Sequence, residues 1–150
     1  MLEIDYPSRF SELIQAVDCD IELPIEWANY FDERGEVSAN LSDDRNSLRL
    51  KIRTHGLMWF ERSLPFCPRS SDPVVIYTRD FSRVGAGWLC PFEVYPEESV
   101  RIVLPTFWVQ LRVARTRRIT SKCYEIGGAL IERHDPSPDA FVIDSETVCR

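Results

Sequence analysis

Two short polar clusters hold the side chains in this chain that are best suited to recognising a phosphorylated ligand. The first is Arg45-Asn46-Ser47-Leu48-Arg49, in which two arginines stand four residues apart. In an extended segment, residues at this even spacing project from the same face. Two guanidinium forks on one face suit two phosphates, or one phosphate and a purine edge. The same spacing also fits a solvated strand edge, where charged residues are common.

The second cluster is Asp80-Phe81-Ser82-Arg83-Val84-Gly85, which follows the apolar run VVIYT. The Asp80 carboxylate could accept hydrogen bonds from the N1 and N2 groups of a guanine edge, and Ser82 would face the same way. Gly85 would permit a tight turn that brings backbone close to a ligand. An Asx turn that closes a hairpin, with Asp80 bonded to the backbone two residues on, explains the same pattern.

Composition limits the classes of function that these clusters can serve. The chain has 150 residues, 44% of them hydrophobic, which is enough for one domain with its own core. The formal net charge of −6 argues against sequence-independent nucleic-acid binding. With no long apolar run and no basic leader at the N-terminus, we expect a cytoplasmic protein without a membrane span.

The reactive residues do not form a recognisable metal or catalytic motif. The five cysteines are scattered without a C-x-x-C pair, and the two histidines, His55 and His134, lie far apart in the chain. We therefore expect no metal site and no disulfide framework. Without a Ser-His-Asp set or a glycine-rich phosphate loop, we expect a binding protein with no cofactor, and not an enzyme.

Hydrophobic periodicity predicts the elements that position the two clusters. Apolar residues at helical spacing predict a short helix around residues 10–17, and a second helix should run from Pro24 to Gly35. Residues 36–46 are polar and resemble a linker. Strands are expected at 48–53, 57–63, 74–81, 86–90, 99–105, 109–116 and 124–132. Six or seven short strands indicate an antiparallel sandwich or small barrel, and residues 134–150 form a tail.

Taken together, the two clusters resemble the signature of the PilZ domain family. That signature is RxxxR before the first barrel strand, followed by [D/N]xSxxG after a later strand. Here the motifs are Arg45-x-x-x-Arg49 and Asp80-x-Ser82-x-x-Gly85. The segment YEIGGALIE is similar to the one that commonly ends the family's barrel. The resemblance covers roughly residues 44–133, so we expect a helical extension over 1–40, a barrel over 41–133 and a tail over 134–150.

The resemblance implies an all-β core, a six-stranded antiparallel PilZ-type β-barrel, preceded here by short N-terminal helices. Its ligand would be the second messenger cyclic di-guanosine monophosphate (cyclic di-GMP). By the same resemblance, Arg45 and Arg49 would grip phosphates and stack on guanine, and Asp80 and Ser82 would hold a guanine edge. Gly85 would shape the turn. Arg83 and Arg79 are further candidate contacts by proximity alone.

Two departures from the family pattern concern ligand binding. Asp43 and Asp44 precede Arg45, where many members carry arginine, and Ala86 stands where a second glycine is common. Carboxylates beside a dianionic ligand should weaken its binding unless they pair with other arginines.

A domain of this kind would relay occupancy to an unidentified downstream protein. The alternative is a PilZ-like adaptor that has lost nucleotide binding and acts through protein contacts. Five aromatic residues are candidates for its interface or for the barrel core: Trp59, Phe60, Trp88, Phe107 and Trp108. A flavin-dependent β-barrel enzyme is a third, more distant reading.

Overall fold

A closed ring of six antiparallel strands forms the body of the protein. The computed structural model describes residues 5–27, 30–32, 35–37 and 49–142. Its regular elements are α1 (Tyr6–Ala16), β1 (Gly35–Val37), β2 (Arg49–Lys51), β3 (His55–Arg62), β4 (Val74–Phe81), β5 (Gly85–Cys90), β6 (Ser99–Val103), β7 (Trp108–Thr120) and β8 (Cys123–His134). Short 3₁₀ turns occupy Ile25–Trp27, Tyr30–Asp32 and Pro138–Phe141.

The ring contains β3 to β8 in the order β4-β3-β6-β7-β8-β5, and it closes because β5 also pairs with β4. The predicted six-stranded antiparallel barrel is therefore confirmed. Strands β1 and β2 form a ribbon outside the ring, and β2 pairs with the last residues of β4. At one end of the barrel, which we call the mouth, lie the β4–β5 turn, the β6–β7 turn and the end of β8.

The first predicted helix is confirmed as α1, but the second is wrong. The described residues between 24 and 35 form two 3₁₀ turns, and β1 begins at Gly35. Tertiary contacts explain this difference, since the Tyr30 hydroxyl donates to the Thr78 carbonyl at 2.6 Å and its ring packs against Tyr77. Aromatic packing on the barrel wall outweighs the weak helical preference of this segment. Residues 38–46 of the predicted linker and 143–150 of the tail lie outside the described residues.

Strand β3 is buried on both faces, which explains its continuous apolar run. Met58 and Phe60 belong to the cluster inside the barrel, whereas Leu57 and Trp59 pack outside it against α1. Because successive strand residues point to opposite faces, burial on both sides requires apolar residues without alternation. The outer layer thus continues the core beyond the barrel wall.

Both described ends of the chain dock on this outer layer. The Tyr6 hydroxyl of α1 donates to the carbonyls of Leu104 and Phe107, at 2.6 and 3.0 Å. The Tyr6 and Phe141 ring centroids are 5.2 Å apart. Arg101 on β6 donates to carbonyls at the C-terminal 3₁₀ turn, including that of Asp139 at 2.8 Å. The first helix and the last turn are therefore anchored beside the β6–β7 turn, at the mouth.

A buried ion pair closes the end of the barrel opposite the mouth. Arg69 donates to both carboxylate oxygens of Glu98, at 2.9 and 2.8 Å, and Glu98 is 0% exposed. The Arg69 guanidinium also lies 4.7 Å from the centre of the Phe60 ring. Although burial disfavours its charged form, the bond and charge of Glu98 raise the pKa of Arg69. This plug joins the β3–β4 and β5–β6 loops.

Removing one partner of this pair should destabilise the barrel strongly. Arg69→Ala leaves the Glu98 carboxylate buried without its counter-charge, so we expect a loss of about 3–5 kcal/mol in the free energy of unfolding. Urea denaturation measures this loss. The control is Arg117→Ala, which removes an ion pair to Glu125 from a side chain that is 67% exposed, and it should cost less than about 1 kcal/mol. Equal losses in the two variants would contradict the plug's role.

The histidine on β3 should make the fold sensitive to acid. The His55 ring stacks on Phe31, with centroids 5.0 Å apart, and burial lowers the pKa of His55. A lowered folded-state pKa means that protonation favours the unfolded chain, so stability should fall as the pH drops below about 6.5. His55→Phe keeps the stack and removes the titration. Urea unfolding at pH 7.5 and 5.5 should show a smaller loss for this variant than for the wild type, and an equal loss would contradict the assignment.

Candidate functional site

The second sequence cluster forms the tight β4–β5 hairpin at the mouth. The Ser82 backbone N–H donates to the Gly85 carbonyl at 2.9 Å, which leaves Arg83 and Val84 as the two turn residues. The Ser82 hydroxyl accepts from the N–H groups of Val84 and Gly85, at 3.3 and 3.2 Å. Ser82 therefore closes the turn. The hairpin that the Asx-turn interpretation predicted after Asp80 is present, and the Ser82 hydroxyl accepts these two turn hydrogen bonds.

Gly85 is required by close packing and not by an unusual backbone angle. Its φ lies outside the left-handed region, but a Cβ at this position would overlap the carbonyl oxygen of Gly128 on β8. The neighbouring strand can approach this closely only because Gly85 has no side chain. The predicted importance of Gly85 in the turn thus has a different physical origin, in the contact between β5 and β8.

Asp80 lies on the outer face of the barrel, directly above a glycine. A Cβ on Gly87, its partner on β5, would stand 3.2 Å from the Asp80 Oδ1 atom. The carboxylate is 6% exposed, and its Oδ2 atom lies 3.5 Å from the Arg79 Nε. Arg79 also forms an ion pair with Glu125 on β8. The negative charge of Asp80 is therefore held beside a guanidinium group.

The row of residues that contains Asp80 continues across two further strands. Gly87 pairs with Gly127 on β8, which pairs with Arg115 on β7. A Cβ on Gly127 would stand 2.9 Å from the Arg115 guanidinium carbon, so Arg115 lies across this glycine. An acidic group and a basic group thus cover two neighbouring glycines that have no side chains of their own.

Of the two arginines in the first cluster, Arg49 is among the described residues and Arg45 is not. Arg49 begins β2, and Lys51, two residues further on, is in register opposite Asp80. The backbone therefore brings the strand of Arg49 to the edge of the strand of Asp80. Arg45 lies outside the described residues.

A cavity of about 790 Å³ opens at the mouth, on the inner side of the same wall. It contains three predicted site residues, Ser82, Arg83 and Gly85, but Asp80 is not among its lining residues. Most of its remaining wall is apolar: Leu50, Ile52, Phe81, Phe107, Val109 and Leu130, with Arg133 at the end of β8. The second cluster is therefore divided between an outer surface and an inner cavity.

Sequence reasoning missed the contributions of β8 and of the end of β7. Neither Gly127 nor Arg115 stands in a recognisable binding motif. Arg133 lines the cavity because the long β7–β8 hairpin carries the end of β8 to the mouth. The available signal was the paired glycine in YEIGGALIE. Two adjacent glycines in a strand mark a place where other groups approach the backbone closely.

The candidate aromatic interface residues are mostly core. Trp59, Phe60, Trp88 and Trp108 are buried, and only Phe107 is partly exposed, at the edge of the cavity. The adaptor alternative therefore cannot use these four rings as an exposed docking surface.

The two buried cysteines are poor nucleophiles at neutral pH. Burial raises the pKa of the Cys90 thiol to about 12 and that of Cys123 to about 11, so both are protonated at neutral pH. Within the described ranges, no three His, Cys, Asp or Glu side chains cluster closely enough to hold a metal ion. The helices described here are too short or too polar to cross a membrane.

Comparison of the chain with protein-family models, with curated proteins and with solved structures found no match. Functional inference therefore depends on the residues and their geometry.

The close contact between β5 and β8 gives a direct test of the hairpin geometry. Gly85→Ala forces a methyl group against the Gly128 carbonyl, and overpacking of this kind costs about 1–3 kcal/mol. Urea denaturation should show this loss. Val84→Ala, an exposed change one residue earlier, should have an effect within about 0.5 kcal/mol. An unchanged midpoint for Gly85→Ala would show that the strands do not approach this closely.

Proposed function

We propose that this protein is a PilZ-type receptor that binds cyclic di-GMP and signals its occupancy to a downstream protein. The observation that supports the proposal is the register of β2 on β4, which places Arg49, the second arginine of the RxxxR motif, on the strand next to that of Asp80. The described end of the first motif thus lies on a strand that pairs with the strand leading into the DxSxxG hairpin. This is the arrangement that a shared phosphate and guanine site requires.

The outer wall beside Asp80 suits a planar base. Gly87 and Gly127 carry no side chains of their own, and the Asp80 and Arg115 side chains now lie over them. A flat ring would therefore approach the backbone here by taking the place of these two groups. The Asp80 carboxylate would accept from the guanine N1–H and amino groups. The Arg115 guanidinium would stack on a base or bind a phosphate, which are two roles that arginine serves better than lysine.

Binding at this wall should be coupled to a local rearrangement. Asp80 is 6% exposed, so a guanine edge reaches its carboxylate only by replacing contacts that now surround it. The ligand's differential affinity for the rearranged state drives the change. A receptor that is not a catalyst needs such a change to report occupancy.

Calorimetric titration tests the proposal. The two arginines of the RxxxR motif, together with the Asp80 carboxylate that would bind guanine, should give micromolar affinity for cyclic di-GMP, about −8 kcal/mol. Charge-assisted hydrogen bonds contribute roughly 1.5–3 kcal/mol each, so Arg49→Ala and Asp80→Asn should each weaken binding at least about tenfold. Arg118→Ala is the matched control, because this exposed arginine near the β7–β8 turn lies at the far end of the barrel. It should bind like the wild type.

The adenine analogue, cyclic di-AMP, provides the test of base reading. It keeps both phosphates and lacks the guanine N–H edge, so it should bind much more weakly than cyclic di-GMP. Equal affinity for the two nucleotides would remove the base-reading role assigned to Asp80. Equal effects of the three variants would show that the pocket is assigned wrongly. Circular dichroism should confirm that each variant is folded.

The second candidate is the adaptor that acts through protein contacts. One observation favours it: Asp80 is nearly buried, and the Ser82 hydroxyl already accepts two backbone N–H groups of the turn. In that case the motif residues would maintain the hairpin and would not bind nucleotide. A folded wild-type protein that binds neither nucleotide at millimolar concentration would support the adaptor.

A further inference from the structure

The mouth cavity has the size and lining of a small-molecule site. Its volume of about 790 Å³ falls within the range of roughly 300–1,000 Å³ that is typical of ligand pockets. Phe81, Val109 and Leu130 belong to or pack against the inner core cluster and face the cavity from three different strands. Leu50 and Phe107 extend the apolar wall toward solvent.

Two arginines that form no ion pair with a carboxylate in the described part of the chain stand among these apolar groups. Arg83 is exposed in the β4–β5 turn, and Arg133 lies near the end of β8. The Arg133 guanidinium carbon is 4.4 Å from the centre of the Phe107 ring. Glu132, the neighbouring carboxylate on β8, lies 3.9 Å from His134. In a chain with a net charge of −6, this is a local positive region beside an apolar space.

We propose that the cavity binds a free, unbranched alkyl carboxylate of about ten carbons. Its chain would occupy the apolar space, and its carboxylate would lie between Arg83 and Arg133. A methylene group is close in size to a water molecule, which occupies about 30 Å³, so ten carbons require roughly 300 Å³ and fit within the cavity. Arginine forks match a planar carboxylate with two parallel hydrogen bonds.

The cavity does not suit a nucleobase. Apart from the two arginines, Ser82 is the polar side chain among the described residues that line it, and its hydroxyl already accepts two hydrogen bonds from the turn. A base buried there would lose its hydrogen bonds to water without replacement. The inference therefore goes beyond the proposed function, since Asp80 and the outer wall are not needed for it.

Equilibrium dialysis with octanoate, decanoate and decyltrimethylammonium tests the proposal, at concentrations below micelle formation. Each pair of added methylenes should tighten binding roughly tenfold, because burial of each group favours the apolar site. The ammonium amphiphile has the same chain and the opposite charge, and it should bind at least about tenfold more weakly than decanoate. Equal affinity for the two ten-carbon amphiphiles would overturn the proposal.

Variants locate the site. Arg83→Gln and Arg133→Gln should each weaken decanoate binding about tenfold, because each removes one charged donor. Arg118→Gln, at the far end of the barrel, should leave it unchanged. Leu50→Trp places a larger ring in the apolar wall and should weaken decanoate binding, and Leu50 is exposed enough, at 43%, for the fold to accept the larger ring.

Two further results would contradict the proposal that the cavity binds decanoate. Absence of decanoate binding, or binding that Leu50→Trp and both arginine variants leave intact, would overturn the inference. The nucleotide titration is scored separately. Loss of cyclic di-GMP binding alone would contradict the proposed function, and loss of decanoate binding alone would contradict only this inference.

Discussion

The close approach of β5 to β8 at Gly85 is the contact on which the candidate site depends. A side chain at this position would overlap the Gly128 carbonyl, and a Cβ at Gly128 would stand 3.1 Å from the Trp88 ring. Because Gly85 and Gly128 have no side chains, β5 and β8 can pair from Gly85 to Cys90 and close the ring. Closure in turn fixes the β4–β5 hairpin, which holds the second cluster at the mouth.

Strand alternation then gives one wall two chemically different sides. Asp80 lies on the outer side above Gly87, while its neighbour Phe81 packs against the inner cluster and lines the cavity. A shift of one residue in the pairing of β4 would exchange these two surfaces. The bulge between Thr78 and Asp80 helps to set the register that keeps the carboxylate outside. The polar outer surface at Asp80 and the apolar cavity wall at Phe81 are thus separated by a single peptide unit.

Much of the fold follows from local pattern. Alternation at β2 and the short apolar runs of β3 to β8 predicted the strands. Their number predicted an antiparallel sandwich or a small barrel, and the family resemblance favoured the barrel. The segment around Tyr30 was misread, because contacts with distant Tyr77 and Thr78 decide its conformation. Such contacts depend on the final topology, so they leave no periodic signal in the sequence.

The candidate site was less predictable than the fold. The hairpin cluster was predicted from the sequence. The different contacts of Asp80, Ser82 and Gly85 depend on which residues the strand register places beside them. Arg115 and Arg133 reach their positions through the irregular pairing of β7 with β8, which contains several register shifts. Bulges of this kind cannot be read from residue types alone, because they result from the closure of the whole sheet.

The docking of Tyr6 against Phe141 has a topological consequence. Since these rings are 5.2 Å apart, a short peptide could join the two described ends without crossing the barrel. The chain could then be opened elsewhere, for example near the exposed Phe66 in the β3–β4 loop, to give a circular permutant with the same strand order in space.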